Sequence, residues 1–285
     1  MSIDAQKKPL VSIGLPVYNE ARFLEQTLTS LLSQDYNELE VLLSDNASTD
    51  KTLEIARRFA KKDGRLKIHA FSKNQGARTN FLQVRKMARG TYLMMAGGHD
   101  LWSENNVSSC VRLLESNPGA VLAFGSSVWI DGEGEVINRE TGYTDTRGLD
   151  AMGRFFSVFW GNMHPFYGVI RKSAIDKVGE IPNTPGGDLL FLAKLSLMGD
   201  FLHAPNAVWY RREFRTETSY DEKLERLRSR YSRWQFQRHF PLAAIPLELT
   251  RIVLASPLPF KEKILLLAAM WASFPARYVA GRKTP

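Results

Sequence analysis

Within the first 125 residues two hydrophobic periods alternate, and this alternation restricts the fold more than any other feature of the chain. Near-continuous apolar runs at 10–17 (LVSIGLPV), 38–45 (ELEVLLSD), 65–71 (RLKIHAF), 91–96 (TYLMMA) and 120–125 (AVLAFG) read as buried strands. The segments between them carry a helical period. Leu24, Leu28, Leu31 and Leu32 share one face, with Asn19 as a candidate cap; Leu53, Ala56, Phe59 and Ala60 share another, with Asp50 as cap. Two further helices are expected around Phe81 to Ala88 and near 104–116. Strands and helices in this order predict an α/β fold: a mostly parallel central sheet with helices on both faces.

Beyond residue 125 the pattern loosens. SVWIDGEGEVI (127–137) reads as a hairpin turning at Asp131-Gly132, and the polar run 138–150 as a loop. FYGVIRKSAIDKVG (166–179) predicts a strand and a short helix, and GGDLLFLAKLSLMG (186–199) a loop that opens a helix. From about 215 the chain turns helical and basic, then apolar, with prolines dividing it into short pieces. The expected division is a domain over 1–215 and a helical C-terminal extension over 216–285.

Charge and cysteine content exclude several classes. Residues 1–200 carry 23 basic and 23 acidic side chains, so the formal net charge of +8 comes entirely from 201–285, with 15 basic against 7 acidic. A nucleic-acid surface over the core is therefore not expected. The single cysteine, Cys110, rules out an internal disulfide framework and cysteine-rich zinc sites, and fits a reducing, cytoplasmic compartment. The N-terminus lacks the apolar core of a signal peptide, and no apolar run reaches the roughly 18 residues of a membrane span.

In an open α/β sheet, ligands collect beyond the carboxyl ends of the strands. Three polar clusters lie there: PVYNE (16–20), SDNASTD (44–50) and GGHD (97–100). Neither GxGxxG nor GxxxxGK[ST] follows any strand, which disfavours a dinucleotide dehydrogenase or a P-loop enzyme. A site here has to rely on side-chain carboxylates. Gly97 and Gly98 permit a tight bend and close approach, and His99 and Asp100 are ordinary ligands for a divalent metal.

VSIGLPVYNEARFLEQTLTSLLSQ, VLLSDNASTDKT, NQGARTNF and ARGTYLMMAGGHDLW together resemble the inverting family 2 glycosyltransferases of the A-type fold, over roughly residues 10–215. The resemblance implies a single A-type domain that binds a nucleoside diphosphate sugar, with UDP favoured. It implies that Asp45 reads the nucleotide base, that Pro16, Tyr18 and Glu20 line the nucleotide pocket, and that Arg78 pairs with phosphate. The family carries an Asp-x-Asp element for a divalent cation where this chain has GGHD. His99 or Asp100 then falls at the metal position, for Mn or Mg, and Gly97 and Gly98 make room for the ribose-diphosphate. Asp188 in PGGDLLFLAKL matches the general base, a position that a helix N-cap would also suit. Arg211 or Arg212 in VWYRREF matches a leaving-group neutraliser, and His164 and Tyr167 fall where an acceptor pocket would lie. The implied acceptor is a glycan or lipid-linked saccharide of an envelope pathway. Two rivals remain: an inert nucleotide or carbohydrate binder on the same fold, and a sugar nucleotidyltransferase.

The tail adds one expectation. In 251–285 the run ILLLAAMWASF lies between Lys261 and Lys263 on one side and Arg277, Arg282 and Lys283 on the other. Such a segment suits a helix lying in an anionic interface, on the inner face of the cytoplasmic membrane, or a helix packed on the domain.

Overall fold

The computed structural model describes residues 8–139, 141–142, 145–180, 184, 186–213 and 244–278. Contacts divide the chain into two compact units. The first comprises Met1–Asp145, His164–Lys177 and Phe201–Phe214; the second comprises Thr146–Met163, Val178–Asp200 and Arg215–Pro285.

The first unit is built on one sheet. Its strands are β1 (Val11–Val17), β2 (Leu39–Asp45), β3 (Leu66–Ala70), β4 (Tyr92–Met95), β5 (Leu101–Trp102), β6 (Ala120–Ile130), β7 (Val136–Ile137), β8 (Val169–Arg171) and β9 (Asp200–Arg212). They lie in the order β3-β2-β1-β4-β8-β6-β9-β5, with β7 hairpinned onto β6. The pairs β1–β2, β1–β4 and β2–β3 are parallel, so the expected parallel arrangement holds in the half built by the βα repeats. From β8 onward the sheet turns antiparallel: β8 runs against both β4 and β6, and β5 against β9.

Helices α1 (Leu24–Leu32), α2 (Thr52–Ala60), α3 (Ala77–Met87) and α4 (Asn106–Ser116) follow the expected pattern. Leu24, Leu28 and Leu31 of α1, Ile55 of α2 and Val107, Cys110 and Leu114 of α4 join Val11, Ile13, Leu15, Val41 and Leu43 in one core. These strand residues alternate, as period 2 requires, and leave Gly14 on the other face. There α3 comes close. A Cβ on Gly14 would lie 3.0 Å from Val84 Cγ2 and 3.1 Å from Met95 Sδ.

Two elements depart from the sequence reading. Asn19 does not cap α1, which starts at Leu24 with no side-chain cap on its N-terminus; Asn19 instead bends the chain at φ 55°. The 13-residue strand β9 interrupts its own alternation at Pro205 and Asn206, both exposed, which hides it from a periodicity search.

The second unit is helical where described. It contains α5 (Ala151–Trp160), α7 (Gly187–Ser196), α8 (Ala244–Ala255) and α9 (Phe260–Tyr278), while α6 (Lys172–Val178) follows β8. Asp150 caps α5 by accepting from the Gly153 amide at 2.7 Å. Arg154 Nε donates to the Ser196 carbonyl at 2.8 Å, fastening α5 to α7. Gly186 enters α7 at φ 77°, with the Ile245 side chain of α8 against it.

Candidate functional site

The parallel register sets Val17 beside Asp45 and Gly14 beside Met95, so the polar clusters after β1, β2 and β4 emerge at one sheet edge. The first two are laced together by side chains of one bonding to amides of the other. The Asn19 amide donates to Ser48 Oγ at 2.9 Å, the Glu20 amide to Thr52 Oγ1 at 2.8 Å, and the Ala21 amide to Asp50 Oδ2 at 3.1 Å. In return the Thr49 amide donates to Asn19 Oδ1 at 2.9 Å. Asp50 also accepts from the Thr52 amide at 2.9 Å, but it is not the cap the sequence suggests: the N-cap position of α2 is Lys51, and Asp50 stands one residue before it. Burial would raise its carboxyl, but these hydrogen bonds outweigh that and hold it below the ordinary range. Ser, Thr, Asn and Asp are the residues whose short polar side chains satisfy loop amides this way.

Asp45 ends β2 almost fully buried. Its Oδ2 accepts from the Ser48 amide at 3.1 Å, whereas its Oδ1 is buried without a hydrogen-bond partner. A buried carboxylate oxygen left unmatched is costly, because desolvation is not compensated. It is an acceptor whose donor is missing. Pro16 lies in the adjacent strand, opposite Ser44, and Tyr18, just beyond the end of that strand, is exposed.

The next residue, Asn46, organises the loop before α3. Its Nδ2 donates to Asn74 Oδ1 at 2.9 Å and its Oδ1 accepts from the Gln75 amide at 2.8 Å, while Asn74 Oδ1 also takes the Gly76 amide. Gly76 then turns at φ 83°, and exposed Arg78 follows in the first turn of α3. Sequence reading singled out Arg78 but not Asn46 and Asn74, which fix the path of the chain leading to it.

The GGHD turn closes over Glu20. His99 Nδ1 lies 3.2 Å from Glu20 Oε1, and His99 Nε2 lies 3.9 Å from Asp100 Oδ1. Asp100 is 2% exposed and accepts the Arg212 amide at 2.9 Å. Burial pushes its carboxyl upward, against the opposing pull of the His99 ring and the Arg212 amide. The two glycines leave room that the protein itself fills. A Cβ on Gly97 would meet Asp100 Oδ2 at 2.9 Å, and one on Gly98 would meet Glu20 Cγ at 2.8 Å and Val17 Cγ1 at 3.0 Å. Their smallness is thus required by packing within the protein itself.

Arg211 and Arg212 part company here. Arg212 is buried and spends its guanidinium inside the protein, on the His99, Asp131 and Gly132 carbonyls at 2.9–3.0 Å and on Gln26 Oε1 at 2.8 Å. Arg211 points to the other side of β9, its Cζ 4.2 Å from the centroid of the Trp129 ring. Its Nη1 donates to His164 Nε2 at 3.2 Å, and since arginine only donates, the His164 proton resides on Nδ1, facing Ser127 Oγ. Burial, reinforced by the Arg211 charge, lowers the His164 pKa to about 4, so the ring is neutral near pH 7. Tyr167 stacks on Trp209 with centroids 4.5 Å apart.

The sequence pattern described as Glycosyl transferase family 2 matches residues 12–179, more than half of the chain. The chain belongs to glycosyl transferase family 2. An uncharacterized glycosyltransferase of Haemophilus influenzae is 29% identical over 184 residues, covering 64% of this chain and 70% of that protein. The matched stretch spans only 34% to 48% of the length of three further curated relatives. S. aureus TarS 1–349 in complex with UDP-GlcNAc has a similar fold, with a TM-score of 0.70 and 16% identity over 94% of this chain and 73% of that one. The mannosyltransferase PcManGT from Pyrobaculum calidifontis, in complex with GDP-Man and Mn2+, aligns with a TM-score of 0.57 and 20% identity over 94% and 76%. Both likenesses are of fold, and they make this family 2 chain an A-type α/β protein with C-terminal helices.

Among the described residues of the family 2 chain, no three His, Cys, Asp or Glu side chains are arranged to hold a metal. His99 and Asp100 offer one imidazole nitrogen and one carboxylate, with Glu20 orienting the ring through Nδ1. A carboxylate behind a ligand histidine is a common second partner. Two donors are too few to cage a cation by protein alone. Asp188, the remaining candidate, belongs to the second unit and lies exposed in the first turn of α7, two residues past the N-cap position, which Gly186 holds.

Proposed function

We propose that this chain transfers a sugar from a nucleoside diphosphate sugar, UDP-linked in the first instance, to a hydroxyl of a glycan or lipid-linked saccharide, with inversion. The observation that carries the reading is Asp45 Oδ1, a buried acceptor without a partner at the carboxyl end of β2. An N–H on the edge of a nucleobase supplies the missing donor. Around it, Pro16 and Tyr18 line the base and ribose pocket, Gly97 and Gly98 contribute backbone to it, and Glu20 acts through His99. Arg78 and Arg211 are proposed for the diphosphate, because a guanidinium matches phosphate oxygens in pairs. Arg212 is reassigned from charge neutralisation to holding the corner, since four of its five N–H donors are already used. His164 and Tyr167 would border the acceptor side.

In the proposed step an acceptor hydroxyl oxygen attacks the anomeric carbon as the bond from that carbon to the diphosphate oxygen breaks. Asp188 takes the hydroxyl proton, the electron pair leaves on the nucleoside diphosphate, and a single displacement inverts the centre. Arg211 sits beside a neutral imidazole, so its neighbour on that side adds no competing charge, and the guanidinium would be set against the charge that develops on the leaving group. His99 and Asp100 would hold the donor's divalent cation, Mn or Mg, which adds further neutralisation of the diphosphate. We take residues 1–215 as the catalytic region and 216–285 as its extension.

The test combines binding and product analysis. A UDP-sugar at a hundred times its Kd should stabilise the protein by about 2.7 kcal/mol, and Asp45→Ala should abolish most of that gain. With acceptor present, nucleoside diphosphate should be released. Release of pyrophosphate from a nucleoside triphosphate and a sugar 1-phosphate would mean a nucleotidyltransferase; binding with no release from any donor would mean an inert binder.

A further inference from the structure

We propose that the outward side of α9, together with the adjoining end of α8, docks on the surface of an anionic lipid bilayer. A helix whose apolar residues all face protein is ordinary; α9 is apolar on both sides. Leu266 and Met270 are fully buried on its inner side. On the outer side Phe260 is 75%, Leu265 61%, Ile264 51% and Trp271 46% exposed. From Ile264 to Ala276 every exposed residue is apolar, the others being Ala268, Ala272, Pro275 and Ala276. Phe260, Ile264 and Trp271 fall at i, i+4 and i+11, which is a single stripe along the helix. Leu254 continues the patch onto α8, and the Trp271 indole N–H donates to Thr250 Oγ1 at 3.0 Å, tying the two helices where the patch crosses them. A contiguous apolar strip of this kind on a protein surface marks a contact.

Charge chooses the occupant. Within 244–278 the cations Arg251, Lys261, Lys263 and Arg277 outnumber the anions Glu248 and Glu262, and the sequence beyond adds Arg282 and Lys283. A second copy would bring the same positive charge to the same face and be repelled; an anionic lipid surface attracts it. The cations stand at both ends of a 19-residue helix, about 28 Å long. Arg277 turns inward over the Phe159 ring, so among the described residues of the two helices Lys261 on α9 and Arg251 on α8 are the exposed cations, and the apolar stripe meets an interface along its length only if the helix lies flat. No helix among the described residues is long and apolar enough to cross a membrane, which agrees with a flat orientation. The inference deepens the proposed function by selecting a lipid-linked acceptor over a free glycan, and on that point it rests on that reading.

The experiment is co-sedimentation of the full chain with vesicles of equal parts phosphatidylglycerol and phosphatidylcholine, against phosphatidylcholine alone. Binding should require the anionic lipid and weaken with salt. Each cation near the surface is worth roughly fivefold in partitioning, so Lys261→Glu should cost at least that. The combined variant Phe260→Ser, Ile264→Ser, Leu265→Ser should lose tenfold or more. All three side chains are at least half exposed, so its circular dichroism and melting should match those of the parent. No binding at low salt overturns the proposal, as does unchanged binding by the triple variant. A dimer in light scattering that the triple variant abolishes, without vesicle binding, overturns it in favour of a second copy. Because sedimentation reads no sugar transfer, its failure leaves the nucleotide test untouched, and failure of that test leaves the lipid result standing.

Discussion

A carboxylate that only positions a backbone and one that moves a proton respond differently to loss of charge, and Asp188 offers the cleaner comparison. It stands exposed in the first turn of α7, where the helix dipole favours a negative charge by only about 0.3–1 kcal/mol. Asparagine keeps the size of the side chain and still accepts a hydrogen bond, so Asp188→Asn should fold as the parent does. If Asp188 takes the acceptor proton, kcat should fall roughly 10²–10⁴-fold with little change in donor KM; single-turnover kinetics with saturating donor would read this, and turnover within a few-fold of the parent removes Asp188 from the reaction. Other residues were less legible. The sequence marked Arg211 and Arg212 alike, because a motif match names positions and not sides. Adjacent residues in a strand point to opposite faces. β9 thus sends Arg212 into the carbonyls of the GGHD and hairpin turns and Arg211 across Trp129 toward His164. Asn46 escaped notice for a related reason: its bonds go to a loop 28 and 29 residues away, which no local pattern reveals.

At the scale of elements, the repeating strands and helices through β4 were readable because each satisfies one period throughout, buried on both faces for β1 and β2. The antiparallel half was not readable in the same way. β8 has three residues and β5 two, too few to show a period, and β9 is interrupted at Pro205 and Asn206. Asn19 was read as a cap because Asn favours caps, but it also tolerates the left-handed region, and here that second property is used. The GGHD turn makes a prediction at this scale. A methyl group on Gly98 would come within 2.8 Å of Glu20 Cγ and 3.0 Å of Val17 Cγ1. Neither is the free end of a long side chain, so the turn or the Val17–Glu20 segment has to move. Gly98→Ala should cost about 1–3 kcal/mol, the usual range for overpacking, seen as a lower urea midpoint at unchanged m. An unaltered midpoint would mean that the turn adjusts freely and does not clamp Glu20 against His99.

For the molecule as a whole, stability should depend on pH in two separate windows. In the lower one, hydrogen bonds keep Glu40 and Asp50 ionised: burial alone would raise both, but Arg89 and Ser12 at Glu40, and Thr52 and Ala21 at Asp50, outweigh it. Their contribution is complete above the unfolded values near 4 and is lost as pH falls through the depressed folded values. The upper window belongs to His164. Its folded pKa is about 4, below the 6.5 of a free imidazole, so the unfolded chain binds a proton that the folded chain refuses. Stability from this group is therefore full above pH 6.5 and declines as pH falls toward 4. From pH 7 to pH 5 the decline should be roughly 2 kcal/mol, at about 1.4 kcal/mol per pH unit once the unfolded imidazole is protonated. Glutamine can accept from Arg211 and donate toward Ser127 without titrating, so His164→Gln isolates this contribution. Urea denaturation at pH 7, 6 and 5 should show the parent losing about 2 kcal/mol more than the variant over that interval, while both lose stability together below pH 4. Parallel curves for parent and variant down to pH 5 would mean that the folded protein accepts the proton at His164. A protonated ring can no longer take the Arg211 hydrogen bond at Nε2, so the neutral seat proposed for that arginine would fall with it.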